Sequence, residues 1–269
     1  MEKVLRKPEM KTKLNGHQLK ILPNAWLGLI SIFPLLMFFT GLGMAEKILA
    51  KESQKIRVLI ITGGHQFERE AFFQMFDSFT DIQYQEKQHP GANDAFFPET
   101  ADSFDVFVFY DMYEEITEEQ KLAFLNLLKK GKGMVFLHHS LLSYQGWEAF
   151  EKIIGGRYHR QANANHPAST YQHDVDFMVH VVDTSHPVTR GMKDFLLHDE
   201  IYGHFSVSPD VQPLLITDHP ASGKIIAWTH RYGNSRIVYI QPGHDHSAYN
   251  NQNYRRMILN AIRWVSGIR

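Results

Sequence analysis

"GMVFLHHSLL" (residues 133–142) is a hydrophobic run that breaks off into two histidines and a serine. A short apolar block without alternation suits a strand buried on both faces of a parallel sheet. Ligands of open α/β sheets lie beyond the carboxyl ends of the strands. Polar groups at such an end therefore point to a functional rim, provided other strands deliver similar groups to the same edge. Working outward, "IRVLIIT" (56–62) ends in Gly63-Gly64-His65 and "DVFVFYD" (105–111) ends in Tyr110-Asp111. Both read as further buried strands. The segment 68–79 places Phe72, Phe73, Phe76 and Phe79 on one helical face. Thr117 and Gln120 form a capping box at the start of a second helix that Gly131 closes, and "WEAFEKII" (147–154) is a third, stopped by Gly155-Gly156. Strand and helix in alternation predict an α/β fold with a parallel sheet and helices on both faces.

The second half changes character. Residues 175–183 alternate like a half-exposed strand, 213–218 is a short strand, and 224–243 reads as two strands around a turn at 232–235. Residues 251–265 form an amphipathic helix with Tyr254, Met257, Ile258, Ala261, Ile262 and Val265 on its inner face. Extra β-strands in the C-terminal half complete one domain over residues 50–269.

Residues 1–45 are a separate object. Residues 2–20 carry a net charge of +4, and an uncharged stretch then runs from Ile21 to Ala45. Small residues Gly43 and Ala45 stand where a signal peptidase would need them. The segment is expected to be a signal peptide, or a retained membrane anchor, since 25 uncharged residues can span a bilayer. Either way the domain is expected outside the cytoplasm, periplasmic or secreted, touching a membrane only through residues 21–45. The remaining chain holds 22 basic and 27 acidic residues, with no basic run to bind nucleic acid. There is no cysteine, which removes disulfides, thiolate nucleophiles and Cys-ligated zinc.

Histidine is in excess: sixteen residues, all but His17 beyond position 60. Imidazole is both the commonest metal ligand and the usual proton carrier near neutral pH. The strand ends supply His65, Tyr110, Asp111, His138, His139, His244 and His246 as candidates. Ser140 lacks the G-x-S-x-G surroundings of a nucleophile elbow. Gly63-Gly64 fits neither a dinucleotide fingerprint nor a P-loop, so no nucleotide cofactor is expected. Two chemistries remain open: a metal site drawn from His138, His139, His159, His244 and His246, with His138, His159 and His244 first and Glu200 as a carboxylate, or metal-free acid/base work by a histidine oriented by a carboxylate. Neutral imidazoles would favour one divalent transition ion, zinc first.

The motifs "RVLIITGGH", "GKGMVFLHHS", "IIGGRYH", "HPVTRGM", "HDEIYGHFSVSPDVQPLLITD", "IAWTHRYGNSRIVYIQPGHDHSAY" and "YRRMILNAIRWVSG" resemble, in order and spacing, the ThuA-like (trehalose-utilisation) family over residues 56–266. The resemblance implies a flavodoxin-like sheet of the class I glutamine amidotransferase type, with the nucleophile elbow near His138–Ser140. The missing cysteine excludes glutaminase activity. It also implies a pocket of His65, His138, His159, Asp199, Glu200, Tyr202 and His244. His138, His244 and Glu200 are the expected catalytic groups; His65, Tyr110, Asp111, His139, Asp199, Tyr202 and His246 are expected to bind substrate. The implied substrate is a small carbohydrate, a disaccharide or 3-keto-glycoside supplied by a sugar dehydrogenase. The alternative is a non-catalytic carbohydrate-binding protein on the same scaffold.

Overall fold

In the computed structural model, residues 55–268 are described. The expected leader, residues 1–45, lies outside them. The chain runs β1 (Ile56–Gly63), α1 (Arg69–Asp77), β2 (Ile82–Gln88), a 3-10 turn (Ala92–Phe96), α2 (Pro98–Ala101), β3 (Val106–Asp111), α3 (Glu118–Lys130), β4 (Gly133–Leu137) and a second 3-10 turn (His138–Leu142). Then come α4 (Glu148–Ile154), β5 (Gly156–Arg157), β6 (Thr170–Val181), β7 (Phe195–Gly203), β8 (Ser206–Val207), β9 (Gln212–Ile216), β10 (Ile225–Tyr232), β11 (Ser235–Ile240), α5 (His246–Asn250) and α6 (Gln252–Ser266).

Nine strands form one sheet in the order β2-β1-β3-β4-β11-β10-β9-β6-β7. The first five are mutually parallel, and β10, β9, β6 and β7 continue antiparallel. The β10–β11 hairpin turns on Gly233-Asn234, with Tyr232 facing Ser235 in register.

Because side chains alternate along a strand, each parallel strand feeds two cores. Val58, Ile60, Val106, Val108, Val135, Leu137, Val238 and Ile240 pack against α1 and α6. Leu59, Ile61, Phe107, Phe109, Met134, Phe136, Ile237 and Tyr239 pack against α3 and α4. Helices thus cover both faces. The Thr117–Gln120 capping box forms as expected, and Gly131 ends α3 in the left-handed region.

Two strands of the nine-stranded sheet escape the sequence reading, as does the short β5–β8 pair. β2 (IQYQEKQ) is a polar edge strand whose one deeply buried residue is Ile82. β7 buries Asp199 and Glu200 along with its apolar residues, so its pattern reads as polar loop. Among the described residues, no helix is long and apolar enough to cross a membrane.

Candidate functional site

The turn after β4 decides the site. Leu137 is still extended, and His138 then enters the left-handed region at φ 44°. A residue with a Cβ adopts that conformation at a cost, and such strain persists where the surroundings over-determine it. Here they do. Tyr239 donates its hydroxyl hydrogen to the His138 carbonyl at 3.1 Å, and the His138 ring is fully buried. The sharp bend that the family resemblance placed at His138–Ser140 therefore projects an imidazole. Ser140 is buried beside it, with no hydrogen-bond partner for its hydroxyl among the described residues.

The tautomer of His138 follows from its partners. Nδ1 lies 2.5 Å from the Gln241 carbonyl, which can only accept, so Nδ1 carries the hydrogen. Nε2 then faces Glu200 Oε2 at 2.7 Å, Tyr202 Oη at 3.0 Å and His244 Nδ1 at 3.3 Å. Glu200 Oε2 also meets His244 Nδ1 at 3.2 Å. His139 joins them, its ring 4.3 Å from His138 and 5.7 Å from His244 between centroids. One atom from each of His138, His139, Glu200 and His244 falls within 4.8 Å of the others.

This donor set fits a metal ion. Bonds of about 2.0–2.1 Å in a tetrahedron set ligand atoms roughly 3.3 Å apart; the His138–His244 and His244–Glu200 separations of 3.3 and 3.2 Å agree, while His138 and Glu200 at 2.7 Å would have to move apart around an ion. The Gln241 carbonyl would supply the outer hydrogen bond that orients a ligating imidazole.

Electrostatics set the protonation states. Burial pushes Glu200 up, but its contacts with His138 and His244 outweigh it and hold the carboxyl well below the usual range. The hydrogen bond to Glu200 raises His244 above the ordinary imidazole value. Burial, reinforced by neighbouring histidines, pushes His139 well down, and burial lowers His65 too. Burial lifts the Tyr202 phenol far up, so it stays a donor.

The expected site residues divide into groups. His65, His139, Glu200 and Tyr202 line a cavity of about 270 Å³ with Met112, Leu142, Tyr158, Tyr171 and His173. His65 stacks on His139 at 4.1 Å. Gly64 makes that possible: at φ +80° its absent Cβ would stand 1.9 Å from the Met112 carbonyl oxygen. Asp199 and Tyr110 stand behind the cavity wall. Asp199 accepts the Gly243 and His244 amides at 2.6 and 2.9 Å, and Tyr110 donates to the Gly243 carbonyl at 2.7 Å. Both shape the turn that aims His244. Asp111 is buried 3.4 Å from His89, and His246 pairs with Glu68 at the surface. His159 stacks on His166 at 4.4 Å and is not one of the four converging groups, which are His138, His139, Glu200 and His244.

His173 was not foreseen. Its Nδ1 lies 3.4 Å from Glu200 Oε1, and its ring packs 4.7 Å from His244. A bulge in β6 sets His173 and Asp174 together opposite Glu200, with Asp174 at φ 56°. Bulges re-aim side chains in this way beside active sites. No period-two pattern could have found it: the bulge shifts the register between Gln172 and Val175, so Tyr171 and His173 join Tyr202 and Glu200 at the cavity while Val175 and Phe177 face the α1/α6 core.

A doubly wound sheet with a histidine at its strained elbow and a second histidine–carboxylate arm beside it defines an α/β protein of the glutamine amidotransferase-like fold, without the thiol nucleophile. The family model of ThuA, "Trehalose utilisation", matches residues 57–265, and the chain belongs to that family. A ThuA-like protein from Parabacteroides merdae superposes with a TM-score of 0.67 at 17% identity, over 79% of this chain and 90% of that one. A ThuA-like protein from Bacteroides uniformis gives 0.63 at 20% identity, over 80% and 92%. A β-galactosidase from Bacillus circulans gives 0.55 at 7% identity over 80% of this chain but 31% of its own, a likeness of fold alone. Among curated proteins none matches the sequence.

Proposed function

We propose that this chain is an enzyme that moves protons beside the carbonyl of an oxidised sugar, with a metal ion held by His138, His139, Glu200 and His244. The observation that carries the reading is the convergence of those four groups at a cleft, with His138 fixed in one tautomer at a strained bend. Carbohydrate as the substrate class rests on family membership.

A C–H beside a ketone is acidified, because the electron pair left behind can rest on the oxygen. A neutral imidazole suits the removal of that proton, and positioned acid/base groups typically contribute about 10²–10⁴-fold. His65 and His173 line the cavity beside the four converging groups and are the imidazoles placed for this task. In a 3-keto-glycoside, loss of the C2 proton lets the pair expel the C1 alkoxide, which takes a proton and leaves as an alcohol. Tyr202, kept protonated by burial, donates a hydrogen bond toward the centre. A divalent ion held there would supply positive charge for the developing oxyanion, with zinc favoured by the nitrogen donors.

An upstream dehydrogenase would supply the ketone. The basic segment 2–20 and uncharged segment 21–45 support a place outside the cytoplasm. The test is incubation of the full chain with methyl 3-keto-glucopyranoside in D2O, followed by NMR. Deuterium at C2 or release of methanol, lost in His138→Ala, supports the reading. Binding of the sugar with neither event would make the protein a carbohydrate binder.

A further inference from the structure

The histidine cavity does not end at its own walls. Met112, Leu142, Tyr158 and Tyr171 also line a second chamber of about 480 Å³, completed by Arg160, Ser169 and Thr170. Four shared residues make the two chambers one cleft, with the histidines at the inner end. At about 270 Å³ the inner chamber falls just under the size of ordinary small-ligand pockets. It suits one sugar ring, so whatever that ring carries must lie across Tyr158 and Tyr171.

The outer chamber has its own chemistry. Tyr171 is 63% exposed, an unusual position for a large ring unless something covers it. It stands on β6 opposite Tyr202 in register, two residues before His173, so the aromatic wall and the histidine share one strand. Tyr158 is largely buried and contributes the facing wall. Arg160 is the one Lys or Arg among the residues lining either chamber, and Glu114 already pairs with it at 2.5 Å. Its charge is neutralised, yet a guanidinium carries five N–H donors and keeps some for hydroxyl groups. Glu200 adds negative charge at the inner end. Apart from the metal proposed at the inner end, an anionic ligand would find no unpaired Lys or Arg in this lining; an uncharged ring with apolar C–H faces and a hydroxyl edge would find both partners it needs.

We propose that the outer chamber is the subsite for a second, uncharged ring of a glycoside, held between Tyr171 and Tyr158 with Arg160 at its hydroxyl edge. The assignment rests on the carbohydrate reading above and adds to it the leaving half of the substrate. Tyr171 is then a specificity residue: it selects ligands of two rings over one, and neutral ones over phosphates.

Calorimetric titration of the full chain tests this with methyl glucopyranoside, maltose, cellobiose and trehalose, each also in its 3-keto form, and with glucose 1-phosphate. The best two-ring ligand should bind about tenfold more tightly than the methyl glycoside, the scale expected for covering roughly 50 Å² of ring surface. Tyr171→Ala should erase that advantage, weakening two-ring ligands about tenfold more than the methyl glycoside, whose ring the same residue borders. Tyr171→Phe, which keeps the ring, should preserve it. Equal affinity for one and two rings would overturn the subsite while leaving the carbohydrate reading intact. So would equal weakening of both classes by Tyr171→Ala, or glucose 1-phosphate as the tightest ligand. Failure of every sugar to bind would overturn the carbohydrate reading and the subsite with it.

Discussion

If the bend after β4 is strained, His138→Gly should be more stable than His138→Ala. Both variants remove the imidazole, its bond to the Gln241 carbonyl and its contact with Glu200, so those losses cancel in the comparison. What differs is one Cβ at φ 44°. The left-handed conformation costs a residue with a Cβ about 1–2 kcal/mol. Glycine gives back roughly 0.4–1 kcal/mol of that through its more disordered unfolded state. The net preference for glycine is therefore about 0.5–1 kcal/mol, which in a domain of this size moves the thermal midpoint by roughly 1–4 °C. Urea unfolding at neutral pH, fitted with a common slope, measures it directly. At an ordinary helical or extended position the order reverses. Alanine equal to or more stable than glycine would refute the elbow as a strained element.

Glu200→Gln should lower turnover of a 3-keto-glycoside by roughly 10–100-fold, as expected when a ligand or its orienting partner is lost; steady-state kinetics check it. Gly64→Ala should destabilise the fold by about 3 kcal/mol and displace His65, because its Cβ would collide with the Met112 carbonyl oxygen; denaturant midpoints and activity should fall together. Asp105 provides a pH test away from the site. Burial pushes its carboxyl up, but bonds from the Arg57 amide and guanidinium outweigh that and hold it below the ordinary value. A depressed folded value stabilises above the unfolded one, near about 3.9, and the gain fades as pH falls through the folded one. Asp105→Asn should thus cost about 1 kcal/mol at pH 7, discounted for partial exposure, and the difference should shrink as pH falls below the unfolded value of about 3.9.

How much was legible depended on where each signal resided. β1, β3 and β4 are apolar runs ending in polar groups, and local pattern alone placed them in one parallel sheet. Their shared carboxyl edge brings His65, His138 and His139 together, which topology foretells. Glu200 was a candidate carboxylate with no local motif behind it and Tyr202 came from family resemblance, because β7 hides its charged residues by pairing them across the fold. His173 depends on a bulge, and a bulge has no fixed residue signature beyond Asp174 in the left-handed region. Tyr110 and Asp199 show the limit of reading polar strand ends as ligand contacts. Both satisfy backbone groups of the His244 turn, a task visible only once residues more than 40 positions apart are neighbours. His159 follows the same logic: it lies close to the cleft in sequence, yet Tyr158 is the residue there that lines the cavity.

The most direct test of the central claim is the metal content of the full chain, purified without a histidine tag and measured by elemental mass spectrometry. The account predicts near one equivalent of zinc or another divalent transition ion, taken up on incubation and lost in both His138→Ala and His244→Ala. Protein that stays free of metal after exposure to zinc, manganese and iron would contradict it.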